Sequence, residues 1–246
     1  MLTWQNLCDQ NRQCIHVGEM EQSLRKILLD KGLLLEIVRG WYLLSRSQTE
    51  PNWPEVWRTS FWPFCARYLD YRFGQDWCLS ANTSLLLHAE NWNAPSALTV
   101  IAKGAKNRTV RLPFGTSLFC EQPTLPEPDD IIILRGIRMF TLTAALMKAA
   151  PGFYADHVHD AQMALEALTR QDIDIKRLTR GDNLAGVGRL IGALRSVGAE
   201  AAANEIRANL TKAGHICRVI DPFTFQFPWH SGPEWQISGG GKAPKA

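Results

Sequence analysis

The fold of this chain is decided by residues 77–153, which have the sequence WCLSANTSLLLHAENWNAPSALTVIAKGAKNRTVRLPFGTSLFCEQPTLPEPDDIIILRGIRMFTLTAALMKAAPGF. Near the start of this stretch, Ser80 or Asn82 can cap a short helix. Apolar runs separated by turn residues then predict strands. The predicted strands cover residues 96–103, 108–113, 116–121, 131–134 and 137–141.

A helix is predicted at the end of the same stretch. Leu142, Ala145 and Leu146 fall on one helical face, and Thr141 or Thr143 can cap the first turn. The stretch therefore predicts a small mixed β-sheet closed by helices.

Length and composition set the broad class. The chain has 246 residues, of which 46% are hydrophobic and 21% charged, so it is long enough to bury a core and is predicted to be globular. Its net charge of +3 is too weak to indicate nucleic acid by itself, and the position of the charges must carry that argument. With no leader pattern and no apolar run of about 18 residues, neither secretion nor a membrane span is expected.

The cysteines indicate a reducing compartment. The six cysteines are scattered without a C-x-x-C pair, which is typical of structural thiols in a cytoplasmic protein rather than of disulfides or a zinc site. We therefore expect a cytoplasmic protein with no metal and no cofactor.

The N-terminal residues predict a helix followed by a hairpin. Residues 21–30 place Leu24, Ile27 and Leu28 on one helical face, with Arg25 and Lys26 on the other. Apolar strands at residues 33–38 and 41–44 follow, joined by Arg39-Gly40, and glycine is typical of such a tight turn. A short helix around Leu2, Trp4 and Leu7 can precede them.

A helix followed by a basic hairpin is the layout of a winged helix-turn-helix. In that module one helix enters the major groove and the hairpin contacts the DNA backbone. The predicted groove contacts are Ser23, Arg25 and Lys26, and the predicted phosphate contacts are Lys31, Arg39 and Arg46. The alternative is a helix whose basic side chains are simply solvated.

Residues 55–73 form an aromatic-rich segment. Trp57, Phe61 and Phe64 recur near helical spacing, while Pro63 predicts a kink or a new turn. The shared face favours core packing over a platform that stacks on bases.

The residues after Phe153 are predicted to be helical. Helices are expected at residues 172–178, at residues 184–198 with Asp182 or Asn183 as cap, and at residues 199–213. Gly186, Gly188 and Gly192 disfavour a helix and indicate close approach of another backbone, either an internal helix neighbour or a partner protein. Beyond them, Phe223, Phe225, Phe227 and Trp229 alternate as in an edge strand.

Two groups of polar residues invite a chemical interpretation. His157 and His159 are two residues apart, so they diverge on a helix and lack a third metal ligand. Glu127 and Asp129-Asp130 lie in a proline-rich loop, where turn formation is favoured over acid-base chemistry. No nucleophile or phosphate-loop motif accompanies them, so the chain is predicted not to be an enzyme.

The chain is therefore predicted to be an α+β protein in four parts. A winged helix-turn-helix-like domain covers residues 1–50, and the small mixed-sheet domain covers residues 51–180. A helical hairpin covers residues 181–220, and an aromatic and proline-rich segment with a tail covers residues 221–246.

Residues 20–178 resemble the AbiEi family, the antitoxins of type IV toxin-antitoxin systems. The resemblance lies in VRGWYLL, WCLSANTSLLLH, SALTVIAKG, LPFGTSLF and DDIIILRGIRMFTLTAALMKAAP. It implies an N-terminal winged helix that binds promoter DNA and a following domain linked to toxin neutralisation, as in phage defence.

The segment from Asn183 to Phe223 resembles the helices that follow an AbiEi-like domain in some Fic-family proteins. Those proteins continue into a core with a catalytic histidine and a Gly-Asn-Gly-Arg run, which this sequence lacks. Transferase activity is therefore predicted to be absent.

Two functions from different classes follow. The first is an antitoxin-like regulator that binds double-stranded operator DNA, neutralises a toxin, or does both. The second is an inhibitor or regulatory module, mobile-element or Fic-associated, that acts by protein-protein contact without DNA.

Overall fold

The computed structural model describes residues 13–45 and 50–224, and it has a mixed α+β architecture with several small sheets. The strands are β1 (Cys14–His16), β2 (Leu34–Val38), β3 (Trp41–Leu44), β4 (Trp77–Leu79), β5 (Leu98–Ala102), β6 (Arg108–Arg111), β7 (Ser117–Glu121), β8 (Ile131–Leu134) and β9 (Ile137–Phe140). The helices are α1 (Gln22–Asp30), α2 (Trp53–Phe73), α3 (Ala81–His88), α4 (Leu142–Lys148), α5 (Phe153–Asp156), α6 (Val158–Thr169), α7 (Ile175–Leu178), α8 (Leu184–Ser196) and α9 (Glu200–Lys212). No helix in these ranges is long and apolar enough to cross a membrane.

The first sheet contains β1, β2 and β3 in the antiparallel order β1-β3-β2. The β2–β3 turn is Arg39-Gly40, as predicted, and Gly40 has a φ of 82°, which glycine adopts without strain. The Gly40 carbonyl accepts a hydrogen bond of 2.7 Å from the Val17 amide. The tip of the hairpin is therefore fixed to the short 3₁₀ turn that follows β1.

Each face of this sheet packs on a different helix. Ile15 and Leu44 lie with Leu28 of α1 in one buried cluster. Trp41 and Leu43 point to the other face, where they lie in a cluster with aromatic side chains of α2. This alternation follows from the two-residue repeat of a strand.

Helix α2 is continuous over its 21 residues and passes through Pro63, so the predicted start of a new turn at this proline is wrong. Trp57, Phe61 and Phe64 on its buried face anchor the helix on both sides of the proline. Core packing of the aromatic stripe is thereby confirmed.

The second sheet has the order β4-β5-β7-β6, with β5 and β7 parallel and the other pairs antiparallel. It confirms the predicted small mixed sheet. The predicted strands at 131–134 and 137–141 form a hairpin of their own, β8–β9, which turns at Arg135 and Gly136. Ser80 caps α3 and Thr141 caps α4, each accepting a backbone N–H.

The C-terminal helices surround a second core. Asn183 caps α8, whereas the predicted helix at 172–178 is only the single turn α7. A Cβ at Gly188 or Gly192 would lie 2.0 Å from the carbonyl oxygen of Arg218 or Ile220. The predicted close approach of another backbone is confirmed, but at these two glycines the neighbour is the extended segment after α9 and not a helix.

Some predictions fall outside the described residues. These are the first short helix around Leu2 and Leu7, the phosphate contact Arg46, and the alternating residues from Phe225 to Trp229.

Candidate nucleic-acid interface

Helix α1 presents an outward face beside the β2–β3 hairpin. Ser23 and Lys26 are exposed on that face, and Arg25 is half-buried on the flank. Lys31 is exposed at the C-cap of α1, and Arg39 is exposed at the hairpin tip. The structure thus brings the predicted groove residues and two of the predicted phosphate contacts onto one helix and the adjoining hairpin.

Sequence reasoning placed one residue of α1 wrongly. Ile27 was expected on the buried face with Leu24 and Leu28, but its side chain is 51% exposed, whereas Leu28 is 3% exposed. Successive helical residues are about 100° apart, and the three-stranded sheet covers only the arc of Leu24 and Leu28. Leu29, 42% exposed, lies on the opposite flank. The outward face of α1 therefore carries apolar as well as polar side chains.

Arg67 of α2 fixes the start of this region to the rest of the chain. Its Nη2 lies 2.7 Å from a carboxylate oxygen of Glu19, and its Nη1 donates to the Cys14 carbonyl. The guanidinium also lies 5.6 Å from the ring centroid of Trp41, a cation–π distance. These contacts hold β1 and the 3₁₀ turn against α2, so α1 and the hairpin are presented from a supported sheet.

The charges of residues 13–45 are balanced in number. The basic residues are Arg25, Lys26, Lys31 and Arg39, and the acidic residues are Glu19, Glu21, Asp30 and Glu36. Glu19 is paired with Arg67, and Glu36 accepts a hydrogen bond of 3.1 Å from the Gly40 amide. Lys26, Lys31 and Arg39 are exposed and Arg25 is half-buried, while the acidic Glu21 and Asp30 are exposed as well. The exposed basic side chains suit a small number of phosphate contacts.

A second exposed feature is the apolar strand β8. Ile132, Ile133 and Leu134 are 37%, 63% and 38% exposed, and β8 pairs with β9 along one edge only among the described strands. Exposed apolar edge strands are templates for pairing with another chain. This strand is therefore a candidate contact for a protein partner.

Asp130 of the acidic loop has a structural role that differs from the predicted turn formation, because its carboxylate forms an ion pair. Asp130 ends the 3₁₀ turn Pro128–Asp130 and is buried. Its two carboxylate oxygens lie 2.5 and 3.0 Å from the Nε and Nη2 of Arg177, whose Nη1 donates to Asp182 at 2.9 Å. The hydrogen bond from Arg177 lowers the pKa of Asp182. Sequence reasoning missed this buried ion pair because its partners are far apart in the chain and no local motif marks them.

Above this pair lies a cavity of about 570 Å³ between the second sheet and the C-terminal helices, lined by both polar and apolar side chains. Its charged lining residues are Glu121, Glu127, Asp130, Lys148, Arg177 and Asp182. Asp130 and Arg177 contribute to this lining as an ion pair.

The histidines and cysteines show no assembled site in the part of the chain described. No group of three metal-ligating side chains occurs there, and His157 lies 3.6 Å from Asp160. Burial raises the pKa of Cys14 and of Cys78 to about 12, which keeps these thiols protonated and unreactive. Both act as packing residues.

Comparison with known proteins identifies no family for this chain. No protein-family model matches the sequence, and no curated protein matches it. The functional assignment therefore rests on the geometry above and on the sequence patterns.

Proposed function

We propose that this chain is a non-enzymatic, antitoxin-like regulator that binds promoter DNA through residues 13–45. The observation that carries the proposal is the order of the first sheet, β1-β3-β2, with α1 placed between β1 and the β2–β3 hairpin. This strand order matches that of a winged helix and supports the proposal, although residues 17–30 contain one 3₁₀ turn and one helix where a helix-turn-helix has two helices. In a helix-turn-helix the recognition helix enters the major groove. The antitoxin-like role in this proposal comes from the sequence resemblance to AbiEi antitoxins.

In this proposal α1 lies in the major groove. Ser23 and Lys26 face the base edges, while Arg25 supports them from the flank. Lys31, Arg39 and Arg46 neutralise phosphates and set the register of the protein on the duplex. A cytoplasmic location, inferred from the cysteine pattern, belongs to the same proposal.

The test is binding of the full chain to duplexes enriched from a randomised DNA library, measured as a function of salt. About three phosphate contacts should give a slope near −3 when the logarithm of the binding constant is plotted against that of the salt concentration. Enrichment of defined sequences with this slope supports the proposal. Failure to enrich any duplex contradicts it.

A second candidate function is neutralisation of a partner protein, and the exposure of β8 favours it. An extended segment of a toxin or target could add to the free edge of β8 through backbone hydrogen bonds. Ile133, 63% exposed, is the most accessible side chain of the strand.

This second candidate is tested by purifying the chain from its native host together with any bound protein. The substitution Ile133→Lys should abolish stoichiometric co-purification and leave DNA binding intact, because β8 lies outside the first sheet. Retention of the same partner by Ile133→Lys would rule out the β8 edge as the contact.

A further inference from the structure

Ile27 is an exposed apolar residue in the middle of the helix that we propose enters the major groove. Its side chain is 51% exposed and lies one turn after Ser23, on the same flank of α1. An isoleucine at such a position neither packs in the core nor favours the helix as much as a lysine or glutamate would. The packing of α1 therefore does not account for this residue.

The major groove offers a specific partner for an apolar side chain. Of the four bases, thymine alone presents a methyl group there, and apolar side chains contact it. Resting on the proposed function, we infer that Ile27 contacts the C5-methyl group of a thymine and makes the protein select a thymine at one position of its site.

The position on the helix favours Ile27 over the other exposed apolar residue of α1. Leu29 is 42% exposed but lies about 200° around the helix axis from Ile27, on the flank shared with Arg25. Ile27 shares its flank with Ser23, and the N-terminal part of a recognition helix contacts base edges. Leu29 lies two residues nearer the C-terminal end of α1.

The experiment uses the full chain and a duplex enriched from a randomised library. Each thymine is replaced in turn by deoxyuridine, which removes only the C5-methyl group. We expect one position, or a symmetric pair, at which this replacement weakens binding about fourfold, as expected for losing the burial of one methyl group.

Two variants assign the effect to a side chain. Ile27→Ala should bind the unmodified duplex more weakly than the unsubstituted protein and should no longer distinguish thymine from deoxyuridine at that position. Leu29→Ala, which removes a comparable exposed apolar side chain from the other flank, should keep the distinction. Since both side chains are exposed, circular dichroism spectra of the two variants should match that of the unsubstituted protein.

The outcomes separate this inference from the proposed function. If no thymine is sensitive, or if Ile27→Ala keeps the sensitivity, the assignment of Ile27 is wrong while DNA binding stands. The assignment is also wrong if Leu29→Ala, and not Ile27→Ala, loses the distinction between thymine and deoxyuridine. If no duplex is enriched, the inference fails together with the proposed function.

Discussion

At the scale of single residues, the buried ion pair between Arg177 and Asp130 is the most consequential polar contact of the C-terminal half. The side chains of both residues are at most 3% exposed, so solvent cannot replace either partner. Removing one member of such a pair leaves an uncompensated buried charge.

We therefore expect Arg177→Met to lower the free energy of unfolding by about 3–5 kcal/mol in urea titrations. Arg170→Ala is the matched control, because Arg170 makes an exposed ion pair with Glu166 at 3.0 Å. Such surface pairs contribute about 0–1 kcal/mol. Equal stability losses in the two variants would contradict a structural role for the buried pair.

His88 gives the protein a specific pH dependence. Burial lowers the pKa of His88, and its Nε2 lies 2.8 Å from the Phe140 carbonyl oxygen. The unfolded chain takes up a proton near the ordinary histidine pKa of about 6.5, whereas the folded chain takes it up only at lower pH. The unfolded state therefore binds more protons as the pH falls, and stability decreases.

The prediction is a loss of stability between pH 7.5 and pH 5.5 that is larger in the unsubstituted protein than in His88→Gln. Urea midpoints at the two pH values measure it. Glutamine can keep a donor to the Phe140 carbonyl but does not titrate, which isolates the contribution of the imidazole. The same pH dependence in both proteins would show that His88 is not responsible.

At the scale of elements, the glycines of α8 allow an extended segment to lie directly on the helix. A Cβ at Gly192 would lie 2.0 Å from the Ile220 carbonyl oxygen and 2.9 Å from the Asp221 nitrogen. These are backbone atoms that cannot rotate away. The steric cost should exceed the gain of about 1 kcal/mol in helix propensity that alanine brings.

Gly192→Ala is accordingly expected to destabilise the protein by about 1–3 kcal/mol, the range for overpacking. Gly152→Ala is the control, since Gly152 has φ −62° and its added Cβ would meet only a side-chain oxygen at 3.5 Å. That control should be neutral or slightly stabilising. Thermal unfolding measures the stability of the two variants. A Gly192→Ala protein as stable as Gly152→Ala would contradict the close packing of α8 on the extended segment.

Much of the element pattern was predictable from the sequence because it is encoded locally. Caps at Ser80, Thr141 and Asn183 and the turn at Gly136 depend on neighbouring residues, and those positions agree with the structure. The continuity of α2 through Pro63 was not predictable, since packing on both sides of the proline decides it.

The candidate site was predictable only in part, for a related reason. The positions of Lys26 and Arg39 on the helix and hairpin follow from local spacing. The exposure of Ile27 depends on how wide an arc of α1 the first sheet covers, and the pairing of Asp130 with Arg177 depends on the tertiary fold. No local sequence pattern indicates either the exposure of Ile27 or the pairing of Asp130 with Arg177.

At the scale of the whole molecule, the first sheet and α2 form one packed unit. One face of the sheet packs on α1 and the other on α2, and Arg67 connects α2 to β1 and to the 3₁₀ turn. In the proposed complex, this packing gives the DNA-contacting helix a rigid support on the side away from the duplex.

The central claim, that α1 and the hairpin tip bind DNA, is tested most directly by the affinities of Lys26→Ala and Arg39→Ala for an enriched duplex, with Arg170→Ala as charge-matched control. We predict that Lys26→Ala weakens binding at least about fivefold and that Arg39→Ala weakens it across all sequences and reduces the salt slope by about 1. The control, whose arginine is the C-cap residue of α6, should bind as the unsubstituted protein does. Equal affinities for all four proteins would contradict the account.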